Sequence, residues 1–168
     1  MDSNALKELQ APIKTRYRED PEAAVITLKA EGNIGENISC SVATGRSIVE
    51  AGLHPATGGS GLQACSGDML LEALVACAGV TMNAVATALD LDVRSGRVWA
   101  EGDLDFKGTL GVSKDVPVGF RSIRLGFEVE GDLTDEQLAT LTRLTERYCV
   151  VLQTLRSAPQ VETQIQLT

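Results

Sequence analysis

Histidine is almost missing from this 168-residue chain, where His54 stands alone. The four cysteines, Cys40, Cys65, Cys77 and Cys149, show neither a CxxC motif nor a Cys/His spacing. A structural zinc site therefore lacks its ligand set, and no metal or other cofactor is expected. Clusters of Lys and Arg are missing too, and 15 basic residues against 23 acidic ones leave a net charge of −8. That balance argues against a nucleic-acid partner, because phosphate binding relies on grouped cations. The first ten residues lack the basic start and apolar core of a secretory signal, so a cytoplasmic location with reduced thiols is expected. Ala73 to Leu89 carries no charge for seventeen residues. It is short for a bilayer span, holds Thr81, Asn83 and Thr87, and is bounded by Glu72 and Asp90, so it reads as a buried core helix and no membrane contact is expected.

What is present fits one globular domain, with 43% hydrophobic and 23% charged residues and no repeat or interdomain linker. Residues 1–22 read as an N-terminal helical arm (Leu6, Leu9, Ile13), and 23–168 as the domain proper. Ala24, Ile26 and Leu28 alternate with Val25, Thr27 and Lys29 as a strand, Gly32 to Gly35 reads as a turn, and Ile38 to Thr44 as its hairpin partner. Ser47 to Val49 extends or follows that strand. The run from Gly52 to Gly61 holds too much Gly and Pro for regular structure. A helix then starts with Ser66 as cap and Asp68 in its first turn, its inner stripe being Leu70, Leu74, Cys77, Thr81, Val85 and Ala88.

Strands follow at Val93 to about Leu104 and Phe120 to Val129. Thr134 to Gln137 forms a capping-box pattern that opens a second long helix running to about Leu155. Its expected inner stripe is Leu138, Leu141, Tyr148, Cys149, Leu152 and Leu155. A last strand, Val161 to Leu167, alternates apolar with polar residues. The order helix, β, β, α, β, β, α, β implies an α+β, two-layer fold, with two long helices against one largely antiparallel sheet. The central helix is apolar almost all round, and a two-layer domain covers only one side of it, so a homodimer through that helix is expected.

Cys77 and Cys149 face inward in their helical patterns. A buried free cysteine acts as a small hydrophobe, which is one reading of both. Cys77 lies about three turns inside its helix, beyond the reach of the helix N-terminus, and burial alone raises a thiol pKa. A reactive thiolate at this position calls for a nearby cation.

The stretch Gly58-Gly-Ser-Gly-Leu-Gln-Ala-Cys-Ser-Gly-Asp-Met-Leu-Leu-Glu-Ala-Leu-Val-Ala-Cys77, followed by Tyr148-Cys-Val-Val-Leu-Gln-Thr-Leu155, resembles the OsmC/Ohr family of hydroperoxide-detoxifying proteins. The resemblance covers roughly residues 23–168. It implies an OsmC-like fold and an intertwined homodimer with two sites at the interface. It also implies that Cys77 is the peroxidatic thiol and Cys149 the resolving one, that they close an intramolecular disulfide, and that an external dithiol reopens it.

The chain departs from the pattern at several positions. The family's Glu, ten residues before the first Cys, is Gly67 here. Asp68 is next to it, as a shifted substitute or a helix-start acid, about 100° of helix away. The family's Arg has Arg46 as its nearest candidate, with Arg16 and Arg18 as others. Val150 replaces the Pro that often follows the second Cys, a change expected to affect helix shape more than thiol chemistry. His54 stands where relatives often carry a His-Pro pair and is either a proton donor to the leaving hydroxyl or a satisfied loop histidine. Glu72 is expected on another face as an exposed or interface carboxylate. Cys40 and Cys65 match no motif, and Cys65 is the more exposed to accidental oxidation.

Two readings of function follow. One is a thiol peroxidase acting on organic hydroperoxides, alkyl or lipid rather than hydrogen peroxide. The alternative is a non-catalytic protein of the same fold that binds an apolar small ligand, with a purely structural dimer as a third possibility.

Overall fold

The computed structural model describes residues 2–20, 32–35, 39–44 and 47–167, with side chains at 2–16, 19–20 and 48–167. Helix α1 (Ser3–Glu19) is capped by Asp2, whose carboxylate accepts from the Ala5 amide. Its start lies against the end of the central helix, where Ser3 Oγ donates to the Ala88 carbonyl. The expected strand at 24–29 lies outside the described residues.

Gly32 to Gly35, expected as a turn, is strand β1. It pairs antiparallel with β2 (Ser39–Thr44), which pairs antiparallel with β3 (Ser47–Gly52). Glycine marked the segment as a breaker, but long-range ladder bonds override so weak a local preference. The Gly-rich loop holds a 3-10 turn at Pro55–Thr57 and leads to β4 (Ala64–Cys65), which runs parallel to β3.

Helix α2 (Ser66–Ala88) follows without a break. Cys65, not Ser66, is its N-cap and offers no side-chain hydrogen bond, while Asp68 does stand in the first turn, where its charge complements the free amides. The buried stripe is Leu74, Ala78, Met82 and Ala86. Cys77, Thr81 and Val85 flank it half-buried, and Leu70 and Ala88 are exposed. The expected stripe is thus rotated by about one position. One side of α2 packs on β5 (Val93–Asp103) and on the helical residues between 135 and 156. The other is open among the described residues, Val80 being 73% exposed, as expected where one layer of a single chain covers only one side of the helix. Among the described residues α2 alone is long and apolar enough to cross a bilayer.

β5 pairs antiparallel with β6 (Ser122–Gly131), and short α3 (Phe106–Thr109) lies in the connection. Gly126 faces Trp99 across the pair, and a Cβ there would overlap the indole. Among the described residues the strands fall in two sheets rather than the one expected, a four-stranded β1-β2-β3-β4 and a two-stranded β5-β6. The class remains α+β. Leu74 joins Ala78, Cys149 and Leu152 in one core cluster, packed by Val98, Ile123 and Phe127. Burying a leucine this completely stabilises the fold by about 2 kcal/mol.

The second long helix begins at the Thr134 capping box, with both reciprocal bonds formed. It is not continuous: α4 (Asp135–Tyr148) ends and α5 (Val150–Arg156) starts at Cys149, which has φ −71° and ψ 105°. Leu141, Thr145, Cys149 and Leu152 are buried, whereas Leu138 and Tyr148, both expected inside, are exposed. Residues 161–167 form no strand, and Ile165 is 93% exposed. The alternating pattern is there, but within one chain the segment has no ladder to join.

Candidate functional site

Cys77 and Cys149 meet where α2 passes the α4–α5 junction. A thiol on the third turn of a long helix gains nothing from that helix's own N-terminus. The junction supplies a second one. In an unbroken helix the Val150 amide would bond to the Glu146 carbonyl and the Val151 amide to the Arg147 carbonyl. The extended ψ at Cys149 stops this ladder after the bond from the Cys149 amide to the Thr145 carbonyl, 3.0 Å. It restarts with Gln153 amide to Cys149 carbonyl, 2.9 Å. The amides of Val150 and Val151 are thereby left without helical acceptors, and both are among the groups that lower the Cys77 thiol. The Gln153 side chain occupies the vacated Glu146 carbonyl, Nε2 to O 2.7 Å. Two successive β-branched residues at 150 and 151, weak helix formers, sit where the break falls.

These contacts set the two thiols apart. Burial pushes the Cys77 thiol up, but the Val151 amide, the Cys149 thiol, the Thr81 hydroxyl and the Val150 amide outweigh it, so its pKa falls below the ordinary thiol value. Cys149 moves the other way. Its burial is complete, and a neighbouring Cys77 thiolate adds to the rise, which the Leu152 and Val151 amides only partly offset. Cys77 is therefore the thiol of the pair that ionises first, and Cys149 the one that holds its proton longer. The two thiols are close enough for each to shift the other's ionisation, the proximity that thiol–disulfide chemistry needs. Cys65, Cys77 and Cys149 are all free thiols in this structure.

The cation expected beside Cys77 is not among its main influences, which are burial, amides, a hydroxyl and a thiol. Arg46 and the side chain of Arg18 lie outside the described residues, and Arg16 is exposed on α1. Two arginines not singled out from the sequence, Arg121 and Arg156, line a cavity of about 410 Å³ that Cys149 also lines. Leu74, Ile123, Leu125 and Phe127 form much of the rest. Arg156 is paired with Glu146 at 3.0 Å. Thr145 Oγ1 is buried beside the same cavity, with no hydrogen-bond partner among the described residues.

The remaining candidates sit elsewhere. His54, Cys65, Gly67 and Asp68 line a separate cavity of about 310 Å³ at the start of α2, which neither Cys77 nor Cys149 lines. His54 stacks on Phe106, ring centroids 4.9 Å apart, and its Nδ1 accepts from the Ala56 amide, so a neutral ring carries its proton on Nε2. Asp68 precedes Cys77 by nine residues, about 13 Å along the helix. Glu72 is exposed. The Val150 expectation is corrected: the helix breaks without a proline, so what valine adds at this position is an N–H. The groups missed from sequence are amides freed by a break that no Gly or Pro announces. Thr81, four residues after Cys77 on one helical face, was legible as a neighbour but not as a donor.

Comparison with known proteins bears on this arrangement. The family model for OsmC-like proteins matches residues 59–164. Among solved structures, an OsmC-like protein of Mycoplasma pneumoniae is 16% identical, with a TM-score of 0.66 over 79% of this chain and 89% of that one. An organic hydroperoxide resistance protein of Legionella pneumophila is 17% identical, TM-score 0.62, over 79% and 91%. One from Elizabethkingia anophelis is 18% identical, TM-score 0.62, over 80% and 91%. No curated protein matches the chain. The overall fold is thus shared, and the chain belongs to the OsmC-like protein family.

Proposed function

We propose that the protein is a thiol peroxidase that reduces organic hydroperoxides. The observation that carries this reading is the opposite displacement of two thiols within hydrogen-bond reach, Cys77 lowered and Cys149 raised. The Cys77 thiolate attacks the terminal oxygen of ROOH, an S–O bond forms, the O–O bond breaks, and the alkoxide takes up a proton to leave as ROH. The resulting Cys77 sulfenic acid condenses with Cys149, forming the disulfide and releasing water. An external dithiol reduces the disulfide, becomes a disulfide itself and restores both thiols. Two of the similar structures are named as organic hydroperoxide resistance proteins, which supports this reading.

The working unit is a homodimer built on the open face of α2, where Val80 and its neighbours lack cover from their own chain. It acts in the cytoplasm, where the thiols are kept reduced. A second reading, an apolar-ligand binding protein without turnover, draws on the cavity of about 410 Å³ beside Cys149 and on the missing acid at Gly67. Turnover of cumene hydroperoxide with dithiothreitol separates the two. The peroxidase reading expects steady consumption by the parent protein and none by Cys77→Ser; equal rates in both would sink it.

A further inference from the structure

Cys77 needs stabilisation of its charge, and one side chain on its own helix is placed to supply it. Thr81 is four residues further along α2, on the same face and one turn above Cys77. Helical side chains lean toward the N-terminus, which brings the Thr81 hydroxyl back over the Cys77 residue. Thr81 Oγ1 donates to the Cys77 carbonyl at 2.7 Å in a half-buried setting. That carbonyl already serves as the regular helical acceptor for the Thr81 amide, so the hydroxyl bond is surplus to the ladder. A hydroxyl carries a single proton on a freely turning bond. It can therefore leave the carbonyl without stranding a buried acceptor and become free to turn toward the sulfur of the same residue.

We infer that Thr81 is a switching hydroxyl donor for the Cys77 sulfur: it bonds the backbone carbonyl while Cys77 is a thiol and swings to the sulfur when Cys77 ionises. The role rests on the peroxidase reading for its purpose, but not for its physics. Among the described residues the other groups that act on Cys77 are Cys149, which also titrates, and the neutral amides of Val150 and Val151. The direction of the Cys77 displacement agrees, since the Thr81 side chain is among the groups that lower it. Thr81 takes no part in covalent chemistry. It shifts the thiol–thiolate balance, the part that the family pattern assigns to a charged pair and that this chain lacks at Gly67.

The test is the rate of iodoacetamide alkylation at Cys77 against pH, read on the Cys77 peptide by mass spectrometry in the full-length reduced protein. Thr81→Val keeps the shape and removes the hydroxyl; Thr81→Ser keeps the hydroxyl. The expected result is a transition displaced to higher pH in Thr81→Val, with alkylation slowed about tenfold at a pH below the parent transition, and a return toward the parent profile in Thr81→Ser. Thr81→Ala, which has the same loss without a β-branch, is expected to match Thr81→Val. Unchanged profiles in both hydroxyl-less variants would overturn the inference, and so would equal slowing in all three. No peroxide enters this assay, so a protein that proved inactive on hydroperoxides would refute the proposed function and leave this result standing.

Discussion

Gln153 Nε2 donates to the Glu146 carbonyl at 2.7 Å, taking the acceptor that the Val150 amide would use in an unbroken helix. A side chain seven residues along thus satisfies the backbone group that the break exposes, and the amide so released is spent on a sulfur. Backbone polar groups near a core must be paired, so this substitution of partners is what makes the break tolerable. The position of a thiolate on α2 is in this way linked to a glutamine on α5.

Replacing Gln153 by Leu removes that cover. The Glu146 carbonyl is then left to recapture the Val150 amide, which draws α4 and α5 toward one continuous helix. Alkylation of Cys77 at neutral pH is expected to slow several-fold, while thermal unfolding shows a loss of about 1 kcal/mol or less, as for a partly exposed hydrogen bond. A Cys77 rate equal to that of the parent would show that the break holds without Gln153.

Val150→Pro isolates the amide from the shape. Proline suits the first position of a helix, and Cys149 at φ −71° and ψ 105° already has the extended backbone that a following proline requires. The Val150 side chain is 70% exposed, so little packing is lost. The variant is expected to fold as the parent does, with the Cys77 transition displaced upward in pH because one of its donors is gone. Far-UV circular dichroism and the pH profile of alkylation check the two halves separately.

The fold was more legible in this sequence than the site. Long periodic segments such as α2, β6 and the Thr134 capping box declare themselves locally, because the physics that forms them is local. Gly32 to Gly35 misled, since its state is decided by pairing with residues 39–42 rather than by its own glycines. Residues 161–167 misled in the opposite sense, having a strand's alternation without a ladder. Cys77 and Cys149 were legible as a pair because the resemblance names them. Their activation was not, because it rests on two backbone amides whose availability depends on the dihedral angle of one residue, Cys149. The sequence called for a cation, and among the described residues the groups that lower Cys77 are amides, a hydroxyl and a thiol.

The opposite displacements of the two thiols give a pH signature. Cys77 has its folded value below the unfolded one, so its contribution to stability is present above the ordinary thiol value and is lost as pH falls through the folded value. Cys149, raised on folding, contributes below the ordinary value and loses it as pH rises through its folded value. Cys149→Ala removes both the donor and the resolving thiol. Its Cys77 transition is expected to move upward, and a single equivalent of hydroperoxide should leave a sulfenic acid trappable by dimedone, with no disulfide. Melting temperatures of reduced parent and variant, measured across the thiol range, check the linkage, and mass spectrometry checks the adduct.

Gly67 has a backbone that any residue can adopt, for it is absent from the glycines of positive φ. The nearest atoms a Cβ added there would meet belong to Cys65, Phe120 and Leu104, at 3.6–3.7 Å, which is ordinary van der Waals contact. Steric necessity therefore does not hold glycine at this position. The first carbon of an acidic side chain needs no turn rebuilt at position 67, and the departure from the acid-bearing pattern that the resemblance implies is one of side chain and not of backbone.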